Sequence, residues 1–161
     1  MSPFKNILVA TDFGEAASLA LAYGRDLART FGATLHVIHV VDDLGARLVR
    51  LPESSETLDQ VQAEAEAAAR LRLDSVLTDE DRGALRARAV ILTSAATART
   101  ITSYARDERV DVIVVGTHGR GPVSQLFLGS VADRVLRMAP CPILVVRPPA
   151  PTRARQLDAD R

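Results

Sequence analysis

The stretch NILVATDFGEAASLALAYGRDLARTFGATLHVIHVV, residues 6–41, decides the architecture of this chain. Asn6 to Thr11 is a short apolar run that stops at Asp12, and its length and β-branched content suit a buried parallel strand. Asp12 and Glu15 stand at capping-box spacing, after which Ala16, Leu19, Ala20, Tyr23, Leu27 and Phe31 form a helical apolar stripe ending near Gly32. Thr34 to Val41 is a second strand. A strand, a helix and a strand in immediate succession call for parallel strands and a right-handed crossover.

Outward from this unit the same alternation continues. Asp42 to Ser55 has the Pro, Gly, Ser and charge content of a long loop, placed to lie over a ligand. Glu56 to about Leu77 is a helix rich in Ala, Glu, Gln and Arg, with Leu58, Val61, Ala65 and Ala68 at helical spacing. Asp79 to Gly83 punctuates the chain before a third strand, Arg88 to Thr93. A helix from Thr97 to about Glu108, with Ile101, Tyr104 and Ala105 on its stripe, leads to a fourth strand, Val110 to Val115. A last helix, Ser130 to about Ala139, precedes a fifth strand, Ile143 to Val146. Residues 1–148 thus read as one α/β domain with an open parallel five-stranded sheet and helices on both faces, and 149–161 as a frayed tail. In such a sheet ligands bind beyond the carboxyl ends of the strands, where the winding direction reverses.

Composition narrows the function. The 161 residues suffice for one core, and 47% apolar with 25% charged residues is a globular balance. Twenty basic residues match twenty acidic ones and aromatics reach only 4%, so neither the field nor the stacking surface for nucleic acid is present. No leader-like N-terminus and no bilayer-length apolar run occur, so a cytoplasmic protein without membrane contact is expected. The single Cys141, between Pro140 and Pro142, lacks a disulfide or zinc partner and reads as a packed small hydrophobe. His36 and His39 fall on opposite faces of strand two and cannot form a local metal pair.

The chemistry concentrates in the loop after strand four, Gly116-Thr117-His118-Gly119-Arg120-Gly121-Pro122, which runs on to Gly129-Ser130. Glycines let successive backbone N–H groups converge on an anion. The helix that follows adds unpartnered N–H groups, the positive end of its dipole and the Ser130 hydroxyl. No Gly-Lys-Ser or Gly-Lys-Thr occurs, which excludes a Walker A loop. Ser124 stands where the dinucleotide fingerprint needs its third glycine.

Gly116, two residues, Gly119, nine residues, then Gly129 and Ser130 is a spacing that resembles the ATP-binding branch of the universal stress protein family. The likeness extends from Lys5-Asn6-Ile7-Leu8-Val9 through His39-Val40-Val41 to Ile143-Leu144-Val145-Val146, with residues 44–84 least informative. The resemblance implies strand order 3-2-1-4-5, a Rossmann-like fold of the adenine-nucleotide α-hydrolase type, with Asp12 and Gly116 facing one crevice. It also implies ATP, ADP or AMP as ligand, with Mg2+. By similarity Ala10 contacts the base, Val40 lines the adenine pocket and Asp12 lies on the ribose and phosphate side. Gly116, Thr117, His118, Gly119, Arg120, Gly121 and Pro122, with Gly129, Ser130, Val131 and Ala132, would wrap ribose and phosphates. Two positions depart from the family pattern: Ala10 replaces a frequent proline, and Ala95-Ala96-Thr97 replaces a Gly-x-Pro loop. The apolar edge Ile143–Val146 is expected to join a homodimer.

Bland roles compete with these. Asp12 either caps the first helix alone or also meets ligand or metal; His118 is a loop contact or a base; Arg120 meets phosphate or only solvent; Val40 belongs to the core in any case. The functional readings are a nucleotide-occupied regulatory or stress-response module with an unidentified client, a slow ATP hydrolase or phosphotransferase using the same pocket, and a scaffold without nucleotide. The intact glycine pattern speaks against the last, and the lack of an evident base and nucleophile pair favours the first over the second.

Overall fold

A computed structural model describes residues 4–47, 55–117 and 128–149. Its strands β1 (Asn6–Ala10), β2 (Thr34–Val41), β3 (Arg88–Thr93), β4 (Val112–Gly116) and β5 (Ile143–Val146) form one sheet in the order β3-β2-β1-β4-β5. All its pairings are parallel, with Val9 opposite Val37 on one side and Val114 on the other. The helices are α1 (Glu15–Phe31), α2 (Leu44–Arg47), α3 (Ser55–Val76), α4 (Asp79–Gly83), α5 (Thr97–Asp107) and α6 (Ser130–Met138).

Alternation along the strands builds two cores. Ile7, Val9, Leu35, Val37, Val112 and Val114 pack with Ala20 and Leu21 of α1 and Leu73 of α3. Leu8, Ile38, Ile113 and Val115 turn to the other face, against Ala98, Ile101 and Ala105 of α5 and Ala132 and Val135 of α6. Strands buried on both faces explain the near-continuous apolar runs.

The buried face of α1 is rotated from the expected stripe. Its line of contact is Ala16, Ala17, Ala20, Leu21, Gly24 and Ala28, while Tyr23 is 49% exposed and Leu19, Leu27 and Phe31 wedge in from the sides. Small residues let the helix press onto β1 and β4. A Cβ at Gly24 would run into the Val9 side chain, and one at Gly116 would lie 2.7 Å from the carbonyl carbon of Ala16. Gly32, at φ 62°, ends α1 in the left-handed conformation.

Other local readings shift too. The expected capping box at Asp12 and Glu15 does not form: Gly14 is the N-cap of α1 and provides no side-chain cap. The capping box lies at Thr78 and Asp81, and the stretch Asp79–Gly83, punctuation by its composition, folds into α4. On α3 the buried residues are Ala69 and Leu73, not the expected stripe around Val61, which is 45% exposed. Strand β4 begins at Val112 because Val110 and Arg109 close α5, their N–H groups reaching Ala105 and Arg106 carbonyls at 2.8 and 3.2 Å. Within the expected long loop, Leu44–Arg47 is helical and tethered by Leu44 N–H donating to Gln62 Oε1 at 3.0 Å. Residues 48–54 and the tail beyond residue 149 lie outside the described residues.

Candidate functional site

Winding reverses at β1, which has β2 on one side and β4 on the other, so a crevice must open at their carboxyl ends. A cleft of about 350 Å³ lies there, within the range of small-ligand sites. Ala10, Ile38, Val40, Ile101 and Val115 give it an apolar interior, and Thr11, Asp12, His39, Thr97 and Ser130 give it polar groups.

Of the residues expected at a site, Ala10, Asp12, Val40 and Gly116 line this cleft, as do Gly129, Ser130, Val131 and Ala132. Thr117 does not. It is 4% exposed and acts as a joint, its N–H donating to the Val146 carbonyl at 2.9 Å and its own carbonyl accepting from Gly129 N–H at 2.6 Å. His118, Gly119, Arg120, Gly121 and Pro122 lie outside the described residues. Sequence reasoning missed Thr11, Ala17, Ile38, His39, Thr97, Ile101 and Val115. Thr11 and Val115 had a signal, being at strand ends next to residues already singled out, and Thr97 stands in the loop that departs from the family pattern; Ile38 and Ile101, inside β2 and α5, had none.

The start of α6 forms the polar end. Gly129 is its N-cap in extended conformation, φ −60° and ψ 151°, with no side-chain cap. Asp133 N–H bonds to the Gly129 carbonyl at 2.9 Å, whereas the N–H groups of Ser130, Val131 and Ala132 have no partner among the described residues. These unpaired donors carry the positive end of the helix dipole. Gly116, at the cleft, also seats α1. Its backbone is not left-handed, and its missing side chain is required by the approach of Ala16.

Asp12 accepts Gly14 N–H on Oδ1 at 2.8 Å, an Asx turn before the helix, and no described residue partners Oδ2. His36 and His39 do face opposite sides of the sheet. His36, 1% exposed, sits 2.8 Å from the Tyr104 hydroxyl through Nδ1, and its buried Nε2 has no partner among the described residues. Burial, with Arg88 adding to it, holds the His36 imidazole below its usual pKa, and burial pushes Tyr104 up to about 12. His39 lines the cleft and meets the Thr11 carbonyl through Nδ1 at 2.8 Å. Cys141 is partly buried, and burial raises its thiol away from the thiolate form. No cluster of three metal-ligating side chains occurs among the described residues.

A sheet wound 3-2-1-4-5 with a cleft at its switch point is shared by many proteins, and comparison with known ones narrows it. The model of the universal stress protein family matches residues 3–147. The chain belongs to the universal stress protein family. This universal stress protein is 37% identical over 150 residues to one from Thermus aquaticus, a match spanning 89% of this chain and 99% of the relative. Its fold superposes on that of MJ0577, a universal stress protein of Methanocaldococcus jannaschii, with a TM-score of 0.78 at 25% identity, covering 91% of this chain and 98% of the other. The universal stress protein from Archaeoglobus fulgidus, solved in complex with dAMP, shares the fold at 21% identity with a TM-score of 0.58, over 91% and 99% of the two chains. Among the described residues no helix is long and apolar enough to cross a membrane.

Proposed function

We propose that this cleft binds an adenine nucleotide, ATP or its ADP and AMP forms, and that the protein works as a nucleotide-occupied regulatory module. One observation carries the reading: an apolar chamber and the N–H groups at the start of α6, which no described residue partners, share a single cleft. The chamber between Ile38, Val40 and Ile101 suits a flat aromatic base, with Ala10 beside it, and the helix start suits phosphate. The family resemblance assigns Gly116, His118, Gly119, Arg120, Gly121 and Pro122 to the phosphate end, and Thr117 ties the end of β4 to the start of α6 through its bond from Gly129 N–H. Asp12, with Oδ2 unengaged by described residues, fits a Mg2+ ion shared with the phosphates, since magnesium is commonly held by one or two carboxylates plus substrate oxygens. A dAMP complex in a protein of the same fold agrees with this reading.

Ser130→Asp separates ligand binding from folding by sign. Ser130 is exposed at the first helical position of α6, where a carboxylate complements the dipole and adds roughly 0.3–1 kcal/mol of stability. The same charge repels phosphate. Isothermal calorimetry is expected to show ATP affinity reduced about tenfold or more, ~1.4 kcal/mol, with the melting temperature equal to or above wild type. Undiminished affinity in this variant contradicts phosphate at the start of α6. Mass spectrometry of ligand released from the purified protein identifies which nucleotide it carries.

The edge strand β5 is the proposed homodimer contact. Among the described residues it pairs only with β4, and Ile143, Leu144 and Val145 stay partly exposed in the single chain. Light scattering is expected to give the mass of two chains, and a monomer at high concentration removes the proposal.

A further inference from the structure

Among the described residues three non-glycine residues have a left-handed backbone: Phe13 at φ 64°, Arg86 at 48° and Arg109 at 51°. Two of them terminate helices. Arg109 sits where α5 ends, inside the paired bonds from Val110 to Ala105 and from Arg109 to Arg106. Arg86 follows α4, and the next N–H, of Ala87, reaches back to the Asp81 carbonyl at 2.8 Å. Phe13 ends no helix. It lies between β1 and α1 beside the cleft, where left-handed geometry is unfavourable for a side-chain-bearing residue and survives only if its surroundings over-determine it.

The surroundings do so from three sides. Phe13 N–H donates to Thr11 Oγ1 at 3.0 Å. One contact of its ring is the His39 imidazole, with centroids 4.5 Å apart, and another is the Arg72 guanidinium of α3, 4.7 Å from the ring centroid. His39 is fixed in turn: a carbonyl only accepts, so the proton shared with Thr11 O at 2.8 Å belongs to Nδ1. Thr11 N–H donates to the Ile38 carbonyl at 2.9 Å, anchoring the residue on the other side of Asp12. Asp12 is therefore held between two fixed neighbours. Its Oδ1 is occupied by Gly14 N–H, and a Cβ at Gly14 would come within 3.0 Å of that oxygen. Oδ2 has no partner among the described residues and faces a ligand unencumbered.

We propose that Phe13, clamped by His39 and Arg72, is the positioning residue that maintains this strained turn and so presents Asp12 to the bound nucleotide. The proposal rests on the nucleotide reading of the cleft and names what sets one of its contacts. Glycine at position 13 adopts the left-handed backbone without penalty but lacks the ring, so any loss it causes comes from the missing clamp and not from added strain. Calorimetry with ATP and magnesium on Phe13→Gly is expected to show about a tenfold loss of affinity, the scale set by a small misplacement of a binding group, with Phe13→Tyr restoring most of it. On an Asp12→Asn background Phe13→Gly should cost nothing further, a result that a merely structural role does not produce. Thermal melts check that each variant is folded. Wild-type affinity in Phe13→Gly, or an equal loss with and without the Asp12 carboxylate, overturns the proposal alone. Failure of the wild type itself to bind ATP removes the nucleotide reading and this inference with it, and is seen before any substitution is made.

Discussion

Asp81→Ala is expected to destabilise the fold by about 3–5 kcal/mol, because it strands a cation whose partner is fully buried. The Asp81 side chain is 0% exposed and that of Arg25 21%. Arg25 Nε donates to Oδ1 at 2.9 Å and Nη2 to Oδ2 at 2.7 Å, a two-pronged contact between α1 and α4, and Nη2 also reaches the Val76 carbonyl at 2.7 Å. Oδ2 further accepts Thr78 N–H at 2.8 Å to complete the capping box. Alanine removes all of these acceptors at once. For a chain of this length each kcal/mol corresponds to roughly 2–4 °C, so a melting temperature lower by about 6–20 °C is expected at neutral pH.

Acid should reveal the same group. Burial by itself would raise the Asp81 carboxyl, but the hydrogen bonds from Arg25 and Thr78 outweigh it and hold the group below its usual value. A carboxyl with a lowered folded value contributes fully above its unfolded pKa, about 3.9, and that contribution is lost as pH falls through the folded one. Wild type should lose stability below about pH 4, and Asp81→Asn should lose less over the same range. A wild-type melting temperature in Asp81→Ala, or an identical acid limb in Asp81→Asn, means the contact is inert.

Gly116→Ala is expected to cost about 2–3 kcal/mol and to weaken ATP binding as well. The added Cβ would meet the carbonyl carbon and Cβ of Ala16 at 2.7 Å and its carbonyl oxygen at 2.9 Å. Two of those atoms are backbone, so no rotamer change relieves the clash and α1 must move off β4. Ala17, one residue on, lines the cleft and would move with it. Ala16→Gly removes only the Cβ, so the double variant should recover just part of the stability. Thermal melts and calorimetry of the single and double variants test both parts. Wild-type stability in Gly116→Ala, or full rescue by Ala16→Gly, shows that the approach is looser than the structure has it.

Much of this architecture was legible in the chain because it is written in short-range patterns. The runs Asn6–Ala10, Thr34–Val41, Arg88–Thr93 and Ile143–Val146 announce buried strands, Gly32 announces the end of α1, and their alternation leaves few options besides a parallel sheet. The end of the sheet at which a cleft forms follows from the same pattern, and the 3-2-1-4-5 order came with the family's glycine spacing. Periodicity locates an apolar stripe but not the closeness of packing, so Tyr23 was expected inward where Ala17, Leu21 and Gly24 make the contact. Thr11, His39 and Thr97 belong to the cleft only because the ends of β1 and β2 and the start of α5 meet there. The role of Gly116 as a seat for α1, the grip of Arg25 on Asp81 across 56 positions, and the clamp of Phe13 by His39 and Arg72 were decided by tertiary structure alone. Each depends on the distance between elements far apart in the chain, and that distance is set when side chains of both cores pack together rather than by the propensity of any local segment.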